Sequence, residues 1–232
     1  YRTLQAHLTE KGWLDRITFC VADEAHGEMV GWSLECSRYV HEVAPGLRLD
    51  ETVGSDEALP MLNEEHLHLY MVNTCSMHGQ GLEKSAVERV PPPREIWGCN
   101  NLRNNIDLES IHGRMVGWVA YKFGHTGFIQ WAYAWAPGNT QGCSFGPGEI
   151  FLVCPPALGQ AEVTDSLRWE MLRDAAEDYE LLWLLEQAGG DPRAYCDRLV
   201  TSAMAHERAS TRFFSTRRAL LEELSQRAAG GQ

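Results

Sequence analysis

The sequence predicts an α/β protein built on a parallel sheet or barrel. Three observations point there. Strand-like runs and helical stripes alternate along most of the chain. The first strand candidate, Ile17-Thr18-Phe19-Cys20-Val21-Ala22, is rich in β-branched and aromatic types with little polar alternation, as a fully buried strand requires. The 232 residues are 44% hydrophobic and 22% charged, which suits one ordinary domain with a real core.

The elements follow in order. Residues 3–15 carry a helical pattern that closes at Gly12-Trp13-Leu14. The strand 17–22 comes next and ends at Asp23-Glu24. A helix over 28–43 stops near Pro45-Gly46, and short strands are predicted at 47–53 and 67–73. A loop-rich stretch with Pro91-Pro92-Pro93 leads into a strand around Glu95-Ile96-Trp97. Asp107 can cap a helix whose Ile111, Met115, Trp118 and Val119 recur at helical spacing. Gly124 stops it, and Gly127–Trp131 reads as a strand. Leu167, Met171, Ala175, Tyr179 and Leu182 form one helical stripe that ends at Gly189-Gly190. Asp191-Pro192 then offers a cap and a first-turn proline for another helix. With no internal repeat or low-complexity linker, residues 1–232 read as a single domain with a break near 188 and a helical tail over 189–232.

Composition excludes several classes. The formal charge of −12 argues against a nucleic-acid partner, which would need a basic face. No apolar stretch approaches the roughly 20 residues of a membrane span. The chain opens at Tyr1 without methionine, so a preceding segment is expected. Seven cysteines are scattered without a Cys-x-x-Cys pair, and an odd number leaves at least one unpaired. Buried free thiols lean towards a reducing, cytoplasmic compartment, and no Asn-x-Ser/Thr marks a secreted surface.

The acidic pair is the first candidate site. Two carboxylates where a buried strand meets a loop are costly unless paired, hydrated or functional. At the carboxyl end of a parallel strand, catalysis is the usual reason for them, although a helix cap or a loop ion pair would also explain Asp23 and Glu24. His66, His68, Cys75 and His78 could be imagined around a metal, with His66 and His68 on one strand face. No metal-binding motif supports this, and neither a metal nor another cofactor is expected. Gly79–Ser85 looks superficially like a phosphate loop, but Glu83 before Lys84 would set a carboxylate against the phosphates. Serine hydrolase chemistry lacks its Gly-x-Ser-x-Gly elbow. Trp131, Tyr133 and Trp135 alternate at the end of a strand and Trp97 ends the one before it. Their flat apolar faces suit sugar rings, though ordinary core aromatics remain the other reading.

Val21-Ala22-Asp23-Glu24, preceded by Lys11-Gly12-Trp13-Leu14-Asp15, resembles the catalytic strand of glycoside hydrolase family 123. Trp118–Gly124 with Gly127–Trp131 is similar to that family's last helix and strand. Glu149–Pro155 followed by Ser166–Asp174 and Glu177-Asp178-Tyr179-Glu180 resembles its closing strand and helix. The likeness runs from about residue 3 to 186, and the Arg168–Glu180 run is its most specific part.

That resemblance implies the carboxyl-terminal half of a (β/α)8 TIM-type barrel (residues 1–188) with additional helices. It also implies cleavage of β-linked N-acetylhexosamines, N-acetylgalactosamine favoured, with the substrate's acetamido group as nucleophile. Glu24 would be general acid and then base, and Asp23 would hold the acetamido N–H. Trp97, Trp131, Tyr133 and Asn73 would meet the glycan substrate. Arg168, Arg173, Asp174, Glu177 and Asp178 would form ion pairs and packing outside the barrel. Two positions depart from the family: Ala25 stands where proline usually follows Asp-Glu, and Cys99 where an aromatic tends to lie. A half barrel implies a missing amino-terminal half or a homo-oligomer that supplies the other wall. A non-catalytic sugar-binding or scaffold protein derived from a truncated barrel stays open as the alternative.

Overall fold

A computed structural model describes residues 1–54, 56–73, 94–99, 109–130, 133, 152–154, 162, 164–202 and 205–230. They fall into two compact units, residues 1–99 with 123–129, and residues 100–122 with 130–232. The break read at Gly189-Gly190 lies within the second unit.

The first unit is a five-stranded parallel sheet in sequence order, β1 (Thr18–Cys20), β2 (Arg48–Val53), β3 (Leu69–Asn73), β4 (Glu95–Cys99) and β5 (Gly127–Ile129). Before it comes helix α1 (Arg2–Lys11), and α2 (Glu28–Val43) connects β1 to β2. A 3-10 segment, Asp56–Asn63, connects β2 to β3. Five consecutive parallel strands are the α/β architecture that the alternation predicts, but a closed barrel is not described. The predicted strand 17–22 shortens to three residues because the chain bends at Val21.

Register assigns the faces, since side chains alternate along a strand and paired positions share a side. Glu51, Tyr70 and Ile96 are in register, as are Asp50, Leu69 and Glu95. On the first face Leu49, Val53, Tyr70 and Ile96 pack with Val40 and Ala44 of α2 and with Ala58, Met61 and Leu62 of the 3-10 segment. Tyr70 joins this core without an orphaned hydroxyl, donating to the Met61 and Glu64 carbonyls at 3.1 and 3.0 Å. Burial raises its phenol to about 12.

The second unit is largely helical: α3 (Ile111–Phe123, through Lys122), α4 (Leu167–Gln187), α5 (Pro192–Leu199) and α6 (Ser210–Gly230). Two small antiparallel ribbons join them, β6 (Val153–Cys154) with β7 (Thr164–Asp165), and β8 (Val200–Ser202) with β9 (Ala205–His206). Ser166 caps α4 by accepting from the Trp169 N–H, and Asp191 caps α5 through Ala194 with Pro192 in the first turn. Helices α3 and α4 approach so closely at Gly117 that a Cβ there would sit 2.0 Å from the Ala175 carbonyl oxygen. Asp178, fully buried, binds them together. It accepts from Arg114 Nε at 2.9 Å, Trp118 Nε1 at 3.0 Å and Arg217 Nε at 2.6 Å.

The acidic run on α4 therefore splits into two environments. Asp178 neutralises two arginines inside the unit. Arg173, by contrast, is exposed and pairs with Glu170, Glu177 and the partly buried Asp174, which also accepts from Arg114 Nη1 at 2.9 Å. Asp178→Ala is expected to destabilise the chain by about 3–5 kcal/mol in urea unfolding, because it takes the buried partner from Arg217 and Trp118 and leaves Arg114 with Asp174 alone. Arg173→Ala should change stability by under about 1 kcal/mol in the same assay.

Candidate active site

The sheet's carboxyl end carries the acidic pair. Beyond Cys20, β1 leaves the ladder and residues 21–24 form a bend that exposes both Asp23 and Glu24. Glu24 adopts φ 49°, the one positive φ among described non-glycine residues, a conformation that costs of order 1 kcal/mol or more. The bend is fastened at several points. Cys20 Sγ donates to the Ala22 carbonyl at 3.0 Å, and His26 Nδ1–H donates to the Glu24 carbonyl at 3.0 Å. The Gly27 N–H donates to Glu57 Oε2 at 2.7 Å, tying the start of α2 to the 3-10 segment.

The Glu24 side chain extends over the end of β2, where a Cβ on Gly54 would meet its Cγ at 3.6 Å. Both acids also act on Cys99 at the end of β4. Burial first, then the charges of Glu24 and Asp23, push that thiol up to about 12. Asn73 closes β3 in register with Cys99, so its backbone lies at the same end of the sheet. Its side chain lies outside the described residues.

On the sheet face opposite α2, polar groups are linked into a network. Arg48 reaches Glu95 at 2.9 Å, and Glu95 Oε2 also accepts from Trp97 Nε1 at 3.2 Å and Thr126 Oγ1 at 3.3 Å. The half-buried indole of Trp97 lies flat against Gly127, where a Cβ would be 2.5 Å from its nitrogen. Trp97 therefore gives its N–H to Glu95 and packs its ring on the Gly127 backbone.

The remaining aromatics are placed differently. Strand β5 stops at Ile129, and Trp131 and Trp135 lie outside the described residues. Tyr133 belongs to the second unit, where it is exposed and meets Trp169 of α4 edge-to-face at 5.4 Å. Its carbonyl accepts from the Leu152 N–H at 2.9 Å. The alternation that placed Tyr133 on the strand fails because the strand has already ended.

The histidines imagined as metal ligands have other partners. His66 Nε2 bonds Ser37 Oγ at 2.8 Å and its Nδ1 lies 3.5 Å from Glu64, while His68 Nδ1 accepts from the Leu49 N–H. Burial lowers the proton affinity of both rings. Among the described residues no group of three such side chains is arranged for a metal, and Cys75 and His78 fall outside them.

The sequence reading passed over a second acidic pair, Asp50-Glu51, although it stood in plain view within a strand candidate. Both are buried in the middle of β2, on opposite faces. Glu51 Oε1 accepts from Ser33 Oγ of α2 at 2.6 Å. Burial, opposed by that bond and reinforced by the charges of Asp50 and Asp23, pushes the Glu51 carboxyl up to about 7. Burial also raises Asp50, against bonds from Thr18 and Cys20. Cys20, desolvated and facing Asp50, Glu51 and Asp23, is pushed up to about 12, which leaves it a thiol at neutral pH.

Comparison with known proteins bears on this arrangement. The family model described as glycoside hydrolase 123, catalytic domain, matches residues 1–185. The chain belongs to that family. A solved structure described as a family 123 glycoside hydrolase from Clostridium perfringens, in work on glycolipid glycan hydrolysis, superposes with a TM-score of 0.64 at 16% identity. The superposition covers 98% of this chain and 42% of that one, so the chain spans less than half of its solved relative. No curated protein matches the chain.

The Glu51 carboxyl keeps its proton to about pH 7 when folded and releases it near 4.5 when unfolded. The folded state therefore binds more protons between those values, and its stability falls as pH rises through them. Glu51→Gln removes this loss. The variant's advantage over the parent in thermal unfolding should grow from about pH 5 to about pH 8, to at most about 3 kcal/mol.

Proposed function

We propose that the chain supplies the acid–base pair of a retaining glycoside hydrolase acting on β-linked N-acetylhexosamines, with N-acetylgalactosamine favoured. The observation that carries this reading is the strained, fastened bend that exposes Asp23 and Glu24 at the carboxyl end of a parallel strand. Family membership supports hydrolysis of glycosides, and the solved relative's description concerns a glycolipid glycan.

In this reading Glu24 protonates the glycosidic oxygen as the C1–O bond breaks. The oxygen of the substrate's own 2-acetamido group attacks C1 and closes an oxazolinium ring, so no protein nucleophile is required. Asp23 accepts the acetamido N–H and offsets the positive charge that develops on the ring. Glu24, now a carboxylate, takes a proton from water as that water opens the ring at C1. The two acids need only reach neighbouring atoms of one sugar, which adjacent residues on a bend can do. Trp97 and Asn73, on β4 and β3 of the same sheet, are proposed to meet the sugar. Further protein, in the same polypeptide or a second copy, is proposed to complete the wall around this sheet.

Glu24→Gln is expected to abolish turnover of an unactivated β-N-acetylhexosaminide while sparing part of the turnover of a nitrophenyl substrate, whose leaving group needs little protonation. Equal activity of variant and parent on both substrates would remove Glu24 from the acid's role.

A further inference from the structure

The chain is acidic overall, but its charge is unevenly spread. Residues 189–232 carry seven arginines against five acids, so residues 1–188 hold the whole acidic excess. Within the second unit, residues of α3, α5, the β8–β9 ribbon and the start of α6 line a polar cleft of about 500 Å³. Arg198, Arg208 and Arg212 contribute to it, together with His112 of α3 and His206 of β9. A volume of that order suits a small ligand. The family match ends at residue 185, and all of this lining except His112 lies beyond it.

The lining is fixed by its own bonds. His112 is buried in the first turn of α3, and its Nδ1 lies 2.7 Å from His206 Nε2, which ties the ribbon to the helix. Lys122 reaches the same ribbon by donating to the Val200 carbonyl. The two acids of the cleft are already engaged. Glu207 Oε1 accepts the Arg208 and Ala209 N–H groups at 3.0 and 2.9 Å, and its Oε2 lies 3.3 Å from Arg212 Nη1. Asp197 pairs with Lys122 at 2.8 Å. Arg198 lies over the Tyr195 ring, 4.6 Å from its centroid. Among the described residues neither Arg198 nor Arg208 has a carboxylate within 4 Å of its guanidinium. Both stay charged at any working pH, so they give the cleft a positive potential that its own acids do not cancel.

We propose that this cleft binds the phosphate group of a small phosphorylated molecule, with Arg198 and Arg208 as its principal cations. A carboxylate offers two oxygens, enough for one arginine fork. A phosphate monoester offers three terminal oxygens and nearly two charges, which suits several arginines around one cleft. Arg212 can share its exposed pairing with Glu207, since such surface pairs are weak. The remaining volume takes the group that carries the phosphate. A metal ion fits less well, because among the described residues no three ligating side chains are gathered for one. Nothing in this proposal rests on Asp23 or Glu24.

The experiment is isothermal titration calorimetry of the whole 232-residue chain in low-salt buffer. Three probes are compared: a hexose 6-phosphate, inorganic phosphate and the unphosphorylated hexose. The hexose phosphate should bind with a Kd below about 1 mM, and the neutral hexose at least about tenfold more weakly. Arg198→Gln and Arg208→Gln should each weaken the hexose phosphate at least about fivefold. Both side chains are exposed, so thermal unfolding without ligand should stay parent-like. Arg218→Gln removes the same charge from an exposed position of α6 outside the cleft, and its Kd should stay within about twofold. Inorganic phosphate binding as tightly as the ester upholds the anion site and makes free phosphate its source. Failure of both phosphates to bind overturns the proposal, as does equal affinity for the neutral hexose. An equal loss in Arg218→Gln overturns it too, because the attraction would then be that of the whole basic tail.

Discussion

The site depends on how the backbone is satisfied where β1 leaves the sheet. A strand that ends early strands amide and carbonyl groups near the core, and each must find a partner. Here the partners are the Cys20 thiol and the His26 ring, which flank the bend, and the Glu57 carboxylate from the 3-10 segment, which takes the Gly27 N–H. These bonds let the chain turn through a positive φ at Glu24 without a glycine. The turn lifts two carboxylates off the strand line and lays Glu24 across the end of β2 towards β4. A straight continuation of β1 would have sent consecutive side chains to opposite faces, which is useless for two acids serving one ligand.

Electrostatics reinforces this geometry. Asp23 and Glu24 at the end of β1 stand near Asp50 and Glu51 in the middle of β2, in a chain that is already acidic overall. Burial raises the proton affinity of Asp50 and Glu51, and like charges add to it at Glu51. One consequence is that neighbouring thiols stay protonated. Cys20 and Cys99 are both pushed up to about 12, by burial first and by these charges second. On the opposite face the single Arg48–Glu95 pair is extended by Trp97 and Thr126 into a network, which holds the indole in one orientation.

The second unit solves a different problem with the same residue type. Asp178 is as buried as Glu51, yet it meets two guanidinium groups and an indole N–H, so its charge is matched from several sides. Helices α3 and α4 can then close to the distance that Gly117 permits. Removing a partner from such a cluster exposes uncompensated charge, which is why it reads as structural. Glu51, with no cation partner among the described residues, is the contrasting case.

Much of the sheet was legible in sequence because each strand announces itself locally. The apolar run before Asp23, the Leu67–Asn73 stretch and the bounds of α2 depend on short-range pattern and on capping residues, and the structure places elements there. The acidic pair at a strand end was equally legible. What only tertiary structure decided were facts about long-range neighbours: that Asp50 and Glu51 are inside, that Arg48 reaches Glu95, and that Tyr133 packs on α4 beyond the strand's end. Hydrophobic period reports which side of an element faces a core. It carries no information about which distant side chain will satisfy a buried charge, because that partner is chosen by the three-dimensional path of the chain.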